Sequence, residues 1–140
     1  MNQPDAPLKV HLFSFSYKDR LPGSDLGHGG GFYFDCRCLP NPGREEQYKS
    51  QTGLDEAVIS YLESIAEVGV FWETSMKLVQ QAIDAYSARG FDSLVVGFGC
   101  TGGQHRSVYC AERLKAHLLE QGVAVELVHT RANKWPERVG

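Results

Sequence analysis

The sequence predicts an α/β fold: a three-layer-like sandwich with a small, mainly parallel sheet of about four strands and helices packed on it. Three observations predict it. Short apolar runs with strand periodicity alternate with stretches whose apolar residues recur at helical spacing, in the order β, β, α, α, β, α, β. The β-branched run Leu94-Val95-Val96 passes through Gly97, Gly99, Gly102 and Gly103 straight into a helical pattern. The order places crossovers between the second, third and last strands, and such crossovers are right-handed and join parallel strands. A functional site is then expected beyond the carboxyl ends of the strands.

Met1 to Pro7 is polar and proline-bearing and reads as a frayed tail. Leu8 to Phe15 alternates, with Leu8, Val10 and Leu12 on one face, and predicts the first strand. Ser16 to Gly31 holds Pro22 and five glycines, a length that loops usually keep for function or motion. Within it, His28 reads as a solvated loop histidine that could reach a ligand. Phe32 to Leu39 predicts a second strand, stopped by Pro40-Asn41-Pro42. Asp35 and Arg37 share parity on it, so they either pair with each other or leave Arg37 pointing at a ligand. Cys36 and Cys38 have no second cysteine pair at ligand spacing and read as packed thiols, not as a metal site.

Gly43 to Gln51 is a charged connector. Thr52 is a candidate N-cap, with Asp55 in the capping-box position of a helix over Leu54 to Glu63. A second helix is predicted from about Phe71 to Arg89, with Trp72, Met76, Val79, Ile83 and Tyr86 as its apolar stripe and Gly90 beyond its end. After the central strand, Val108, Ala111, Leu114 and Leu118 mark a third helix that carries Cys110 and ends at Gly122. Val123 to Val128 alternates as the last strand. Arg131, Lys134 and Arg138 make a weakly basic tail, and residues 131–140 are expected to be flexible and solvated.

The 140 residues suit one domain with a proper core. Hydrophobic content of 42% and charged content of 22% are those of a soluble globular chain. A formal charge of −3 argues against a broadly basic nucleic-acid surface. No apolar run approaches a membrane span, and the N-terminus lacks the basic and apolar regions of a signal peptide. The expectation is a cytoplasmic chain with four reduced cysteines, no metal and no cofactor.

The chemistry concentrates in Cys100-Thr101-Gly102-Gly103-Gln104-His105-Arg106-Ser107. A glycine-rich turn from strand to helix aims backbone N–H groups and a positive helix end at one point. Gly102 and Gly103 permit close approach and positive φ. Gln104 and His105 add donors, Arg106 can grip two oxygens at once, and Ser107 adds a hydroxyl in the first helical turn. The ligand that such a set suits is a phosphate. The loop is not a Walker loop, because no Gly-Lys-Ser/Thr closes it. Nor is it the dinucleotide G-x-G-x-x-G, which would run into the helix and be followed by an acidic residue at the end of the next strand.

Two resemblances attach to these residues. The eight from Cys100 to Ser107 fit C-x-x-G-x-x-R-S, and so resemble the phosphate loop of cysteine-dependent phosphatases. That resemblance implies Cys100 as nucleophile, Arg106 as oxyanion clamp and Ser107 as the thiolate's helper, with Asp35 as the only candidate for the general acid. The longer match is to the C-terminal domain family of RapZ, the RNase adapter protein, here as a stand-alone domain. It is carried by Gly99-Cys100-Thr101-Gly102-Gly103-Gln104-His105-Arg106-Ser107-Val108-Tyr109, by Ser14-Phe15-Ser16-Tyr17-Lys18, by Phe34 to Pro42 and by Thr52-Gly53-Leu54-Asp55, in the family's order. It covers Leu8 to about His129. It implies an adapter or regulatory module that senses a sugar phosphate, with Thr101, Gly102, His105 and Arg106 on the phosphate and a protein or RNA partner. The sequence departs from the family pattern at Gly43, where a histidine often helps hold the sugar, and at Thr130, where an arginine is expected.

The expected function is therefore a phosphate-ligand-binding regulatory module, for a sugar phosphate or a nucleotide, with residues 101–107 as its anion loop. Lys18, His28, Asp35, Arg37, Asn41 and His129 stand near strand ends and are candidates to line the same pocket. A cysteine phosphatase and an RNA-binding adapter are the alternatives. A homo-oligomer is left open, and no membrane partner is expected.

Overall fold

The computed structural model describes residues 7–26 and 31–136. Met1 to Ala6, His28 and Arg138 lie outside the described residues. Four strands form the sheet: β1 (Lys9–Ser16), β2 (Gly31–Asp35), β3 (Ser93–Cys100) and β4 (Ala124–His129). Three helices accompany them: α1 (Glu56–Glu63), α2 (Ala66–Ala88) and α3 (Arg106–Glu120). All neighbouring strands are parallel, in the order β2-β3-β1-β4. The α/β sandwich read from the sequence is the observed architecture.

Strand order fixes the layers. The chain moves in one direction across the sheet from β2 to β3 and from β3 to β4, and in the opposite direction from β1 to β2. Right-handed connections then put the helices on one face and the β1–β2 connection on the other. Contacts agree with this. Val10, Leu12, Leu94, Val96 and Phe98 form one core cluster with Val58, Leu62, Val79, Leu114 and Leu118 of the helices. Residues of the opposite parity face the connection. Gly23 lies against Phe13 and Val95, and the Tyr33 hydroxyl donates to the Pro22 carbonyl. The third layer of the sandwich is thus irregular backbone. Each fully buried Leu of the helix-side core contributes roughly 1.5–3 kcal/mol of transfer free energy.

Three boundaries differ from the sequence expectation. β2 stops at Asp35, because the Asp35 carboxylate accepts the Arg37 N–H at 2.9 Å and caps a 3-10 turn over Cys36–Cys38. Arg37 therefore leaves the strand. Its Nε and Nη2 grip the same carboxylate at 2.8 and 2.7 Å, and its guanidinium lies 4.1 Å from the centroid of the Tyr17 ring. α2 starts at Ala66, not Phe71, since buried Val68 carries the apolar stripe one turn upstream of Trp72. α1 begins only at Glu56. Thr52 and Asp55 close the turn before it: the Thr52 N–H donates to Asp55 Oδ2 at 2.7 Å, and the Leu54 N–H to Thr52 Oγ1 at 3.0 Å. Among the described residues, no helix is long and apolar enough to cross a membrane.

Candidate anion-binding site

β1 and β3 are neighbours whose chains depart to opposite faces, which makes a crevice at their carboxyl ends. The loop that follows β3 occupies this crevice. Ser16 pairs with Cys100 at the sheet's end. Beyond it, Tyr17 N–H donates to the Cys100 carbonyl at 3.0 Å and Ser16 Oγ to the Thr101 carbonyl at 2.6 Å. Gly103 then turns the chain with φ +64°, and a Cβ there would stand 3.1 Å from the backbone of Phe15 and Ser16. Only glycine combines that left-handed backbone with so close an approach.

The next three side chains each hold a wall of the site. Gln104 Nε2 donates to the carbonyls of Lys49 and Gln51 at 3.0 and 2.8 Å. His105 Nε2 lies 2.8 Å from the Tyr48 carbonyl. A carbonyl only accepts, so Nε2 carries the proton and Nδ1 is the unprotonated nitrogen of the neutral ring. Burial pushes the His105 pKa down and favours that neutral form. Arg106 is 4% exposed. Its Nη1 donates to the carbonyls of Leu39, Arg37 and Cys36 at 2.9, 3.2 and 3.4 Å. Its Nε is buried without a hydrogen-bond partner. The charged connector and the Pro40-Asn41-Pro42 turn are thus drawn over the loop from two sides. Gly53 locks the arrangement. Its N–H donates to the Gln104 carbonyl at 2.9 Å, and a Cβ on it would sit 2.5 Å from the His105 carbonyl oxygen.

Two cavities open between these walls, of about 420 and 240 Å³. Asn41, Thr101 and Arg106 line both. The smaller one reaches Gly102, Gln104, His105 and Cys100, and the larger one Arg37, Arg44 and Tyr61. α3 starts here with no side-chain cap and no acidic residue in its first turn. Its first N–H groups are the kind that an anion satisfies. Ser107 lies beneath, fully buried, and Cys100 Sγ donates to its Oγ at 3.2 Å.

The candidate residues divide accordingly. Thr101, Gly102, Gln104, His105 and Arg106 line the smaller cavity, Gly103 shapes the turn, and Ser107 is buried behind it against Cys100. Of the wider set, Asn41 and Arg37 line the larger cavity. Lys18 is exposed, and it lines neither cavity. Asp35 is tied to Arg37, whose hydrogen bonds hold its carboxyl below the usual range, so it is a poor proton donor. His129 lines neither cavity. Its Nε2 meets Glu112 Oε2 at 2.7 Å, and its Nδ1 lies 2.6 Å from the Ser14 hydroxyl.

Sequence reasoning missed Arg44, Lys49 and Tyr61 on the walls, and Trp135 below the loop. The cations of the connector were the available signal for the first two. The tail expected to be flexible is tied down over its described part. Arg131 pairs with Asp19 at 2.7 and 3.0 Å, and Trp135 Nε1 donates to the Gly103 carbonyl at 3.0 Å. Among the described residues, no group of three His, Cys, Asp or Glu could hold a metal ion.

These features define a small α/β domain with a glycine-rich loop leading from strand to helix at a topological switch point. The profile of the RapZ C-terminal domain matches residues 8–133. The chain belongs to that family. A nucleotide-binding protein of Thermotoga sp. (strain RQ2) is 38% identical over 125 residues, which cover 89% of this chain and 43% of the relative. One of Halorhodospira halophila is 39% identical over 122 residues, 87% and 41% of the two chains. One of Saccharophagus degradans is 38% identical over 129 residues, 92% and 43%. The chain spans less than half the length of these curated relatives.

Proposed function

We propose that the chain is a phosphate-ligand-binding regulatory or adapter module of the cytoplasm, and that the loop from Thr101 to Ser107 holds the phosphate of a nucleotide or a sugar phosphate. Arg106 carries this reading. A buried guanidinium with one N–H unpartnered leaves a charge and a donor without compensation. With Nη1 fixed on three carbonyls, the Nε edge is the one left to meet an oxyanion. The uncapped start of α3 supplies further N–H groups at the same point. The relatives' name supports a nucleotide as one ligand class. The four cysteines, none in a disulfide, suit a reducing compartment.

The test is calorimetry with orthophosphate, followed by a thermal-shift panel of sugar phosphates and nucleotides. Orthophosphate should bind and raise the melting temperature, and one phosphorylated compound should do so more strongly than its dephosphorylated form. If orthophosphate produces no heat and no shift, and every phosphorylated compound behaves as its dephosphorylated form does, the reading is wrong.

A further inference from the structure

The walls of the anion site carry more positive charge than one phosphate requires. The whole chain has a formal net charge of −3. Yet four cations, Arg37, Arg44, Lys49 and Arg106, line the two cavities against one carboxylate, Glu45. A cleft lined mainly by one sign of charge concentrates ligands of the other. These cations are also divided. Lys49 belongs to the smaller cavity, Arg37 and Arg44 to the larger, and Arg106 to the wall that both share.

We propose that the ligand carries two phosphoryl groups on one small molecule, the first in the smaller cavity on the loop from Thr101 to Ser107, the second in the larger cavity beside Arg44. Sugar bisphosphates and nucleoside diphosphates share this chemistry. The inference rests on the reading of the loop as a phosphate site and names the class of ligand that the site takes.

Arg44 is the cation that a second phosphoryl group would engage. Arg37 commits its Nε and Nη2 to the Asp35 carboxylate, which balances its charge. Lys49 meets Glu46 at 3.4 Å with both side chains exposed, a pair that water screens. Arg44 is exposed and forms no ion pair among the described residues, not even with adjacent Glu45. A guanidinium in that state offers a planar fork to two phosphate oxygens.

The wall between the cavities suits a molecule that spans both. Asn41 lines each of them, and its Oδ1 accepts the Gly43 N–H at 2.9 Å. Its remaining polar group is therefore the NH₂, which only donates. A Cβ on Gly43 would stand 3.1 Å from Asn41 Oδ1 and 3.5 Å from the His105 ring, so the bare glycine keeps the smaller cavity open there. The larger cavity, about 420 Å³, has room for the body of a ligand as well as its second phosphoryl group. Glu45 is the one lining carboxylate and opposes a second anion, so its neutralisation gives a test with a sign.

Calorimetry with the whole chain compares fructose 1,6-bisphosphate with fructose 6-phosphate, and ADP with AMP, with orthophosphate as the reference. In at least one pair the compound with two phosphoryl groups should bind at least about tenfold more tightly than its partner, as a charge-assisted hydrogen bond gained would give. The pair that shows the preference separates a sugar from a nucleoside. Arg44→Gln should shrink that ratio toward unity, and Glu45→Gln should enlarge it. Both side chains are exposed, so both variants should fold. Orthophosphate binding with equal affinities inside both pairs overturns the second phosphoryl site and leaves the loop reading standing. A ratio unchanged in Arg44→Gln, or lowered in Glu45→Gln, overturns it as well. If neither orthophosphate nor any of the four compounds binds, the loop reading falls and this inference falls with it.

Discussion

Trp135 donates its indole N–H to the carbonyl oxygen of Gly103 at 3.0 Å, from 32 positions downstream. The ring also packs on His129, with 5.5 Å between centroids. A segment past the last strand thereby fixes the one left-handed residue of the glycine-rich loop. Trp135→Phe keeps the ring and removes the hydrogen bond. Its expected cost is about 0.5–1.5 kcal/mol in urea unfolding, together with weaker orthophosphate binding by calorimetry. Unchanged binding would show that the loop keeps its shape without this anchor.

Gly53 tests the close approach on the other side of the site. A methyl group there meets the His105 carbonyl and the Tyr109 N–H, both at 2.5 Å, and neither is a movable side-chain end. Gly53→Ala should therefore destabilise by about 1–3 kcal/mol, as overpacking does, and should weaken phosphate binding by displacing the start of α3. Denaturant midpoints and calorimetry read the two effects. A variant as stable as wild type would mean that the α1 approach yields easily.

Arg106 cannot be removed without structural consequence. Arg106→Ala leaves the buried carbonyls of Cys36 and Leu39 without this donor, at about 1–3 kcal/mol for each group left unsatisfied. Arg106→Lys is the cleaner substitution. It keeps a positive charge and reach toward the carbonyls but loses the fork. The expected outcome is a folded protein whose phosphate affinity falls at least about tenfold, which is roughly 1.4 kcal/mol. Equal affinity in calorimetry would place the ligand elsewhere.

His105 predicts a pH dependence. Burial holds its folded pKa below the ordinary value, which is about 6.5 in the unfolded chain. As pH falls through that value the unfolded chain takes up a proton that the folded chain does not, so stability declines toward the folded pKa. Above it both forms are neutral and the contribution is level. Urea midpoints from about pH 7.5 to 5 should fall more steeply for wild type than for His105→Gln. Parallel curves would mean that the ring titrates alike in both states.

The strands and the glycine-rich turn were legible because alternation and glycine spacing are local properties. Val10 and Leu12 of β1, and the run from Leu94 to Val96, announce their burial in the sequence itself. The second strand's end was not, since Asp35 could as well have continued the strand as capped a turn. The burial of Arg106 was hidden for a similar reason. It depends on three carbonyls presented by that same turn, and nothing at position 106 reports what lies 67 to 70 positions upstream. The surroundings of His129 were hidden too, because its partners Ser14 and Glu112 come from other elements.

Gln104, His105 and Arg106 together hold six carbonyl groups that lie 53 to 70 positions away in the chain. Contacts of such separation form late, after the entropy of closing the intervening loops has been met. The sheet's own pairings are as distant in the chain, Lys9 with Ser93 and with Ala124, so the walls of the loop and the sheet close in the same late steps. A compound that selects the finished loop would then protect the whole fold from unfolding, not the loop alone.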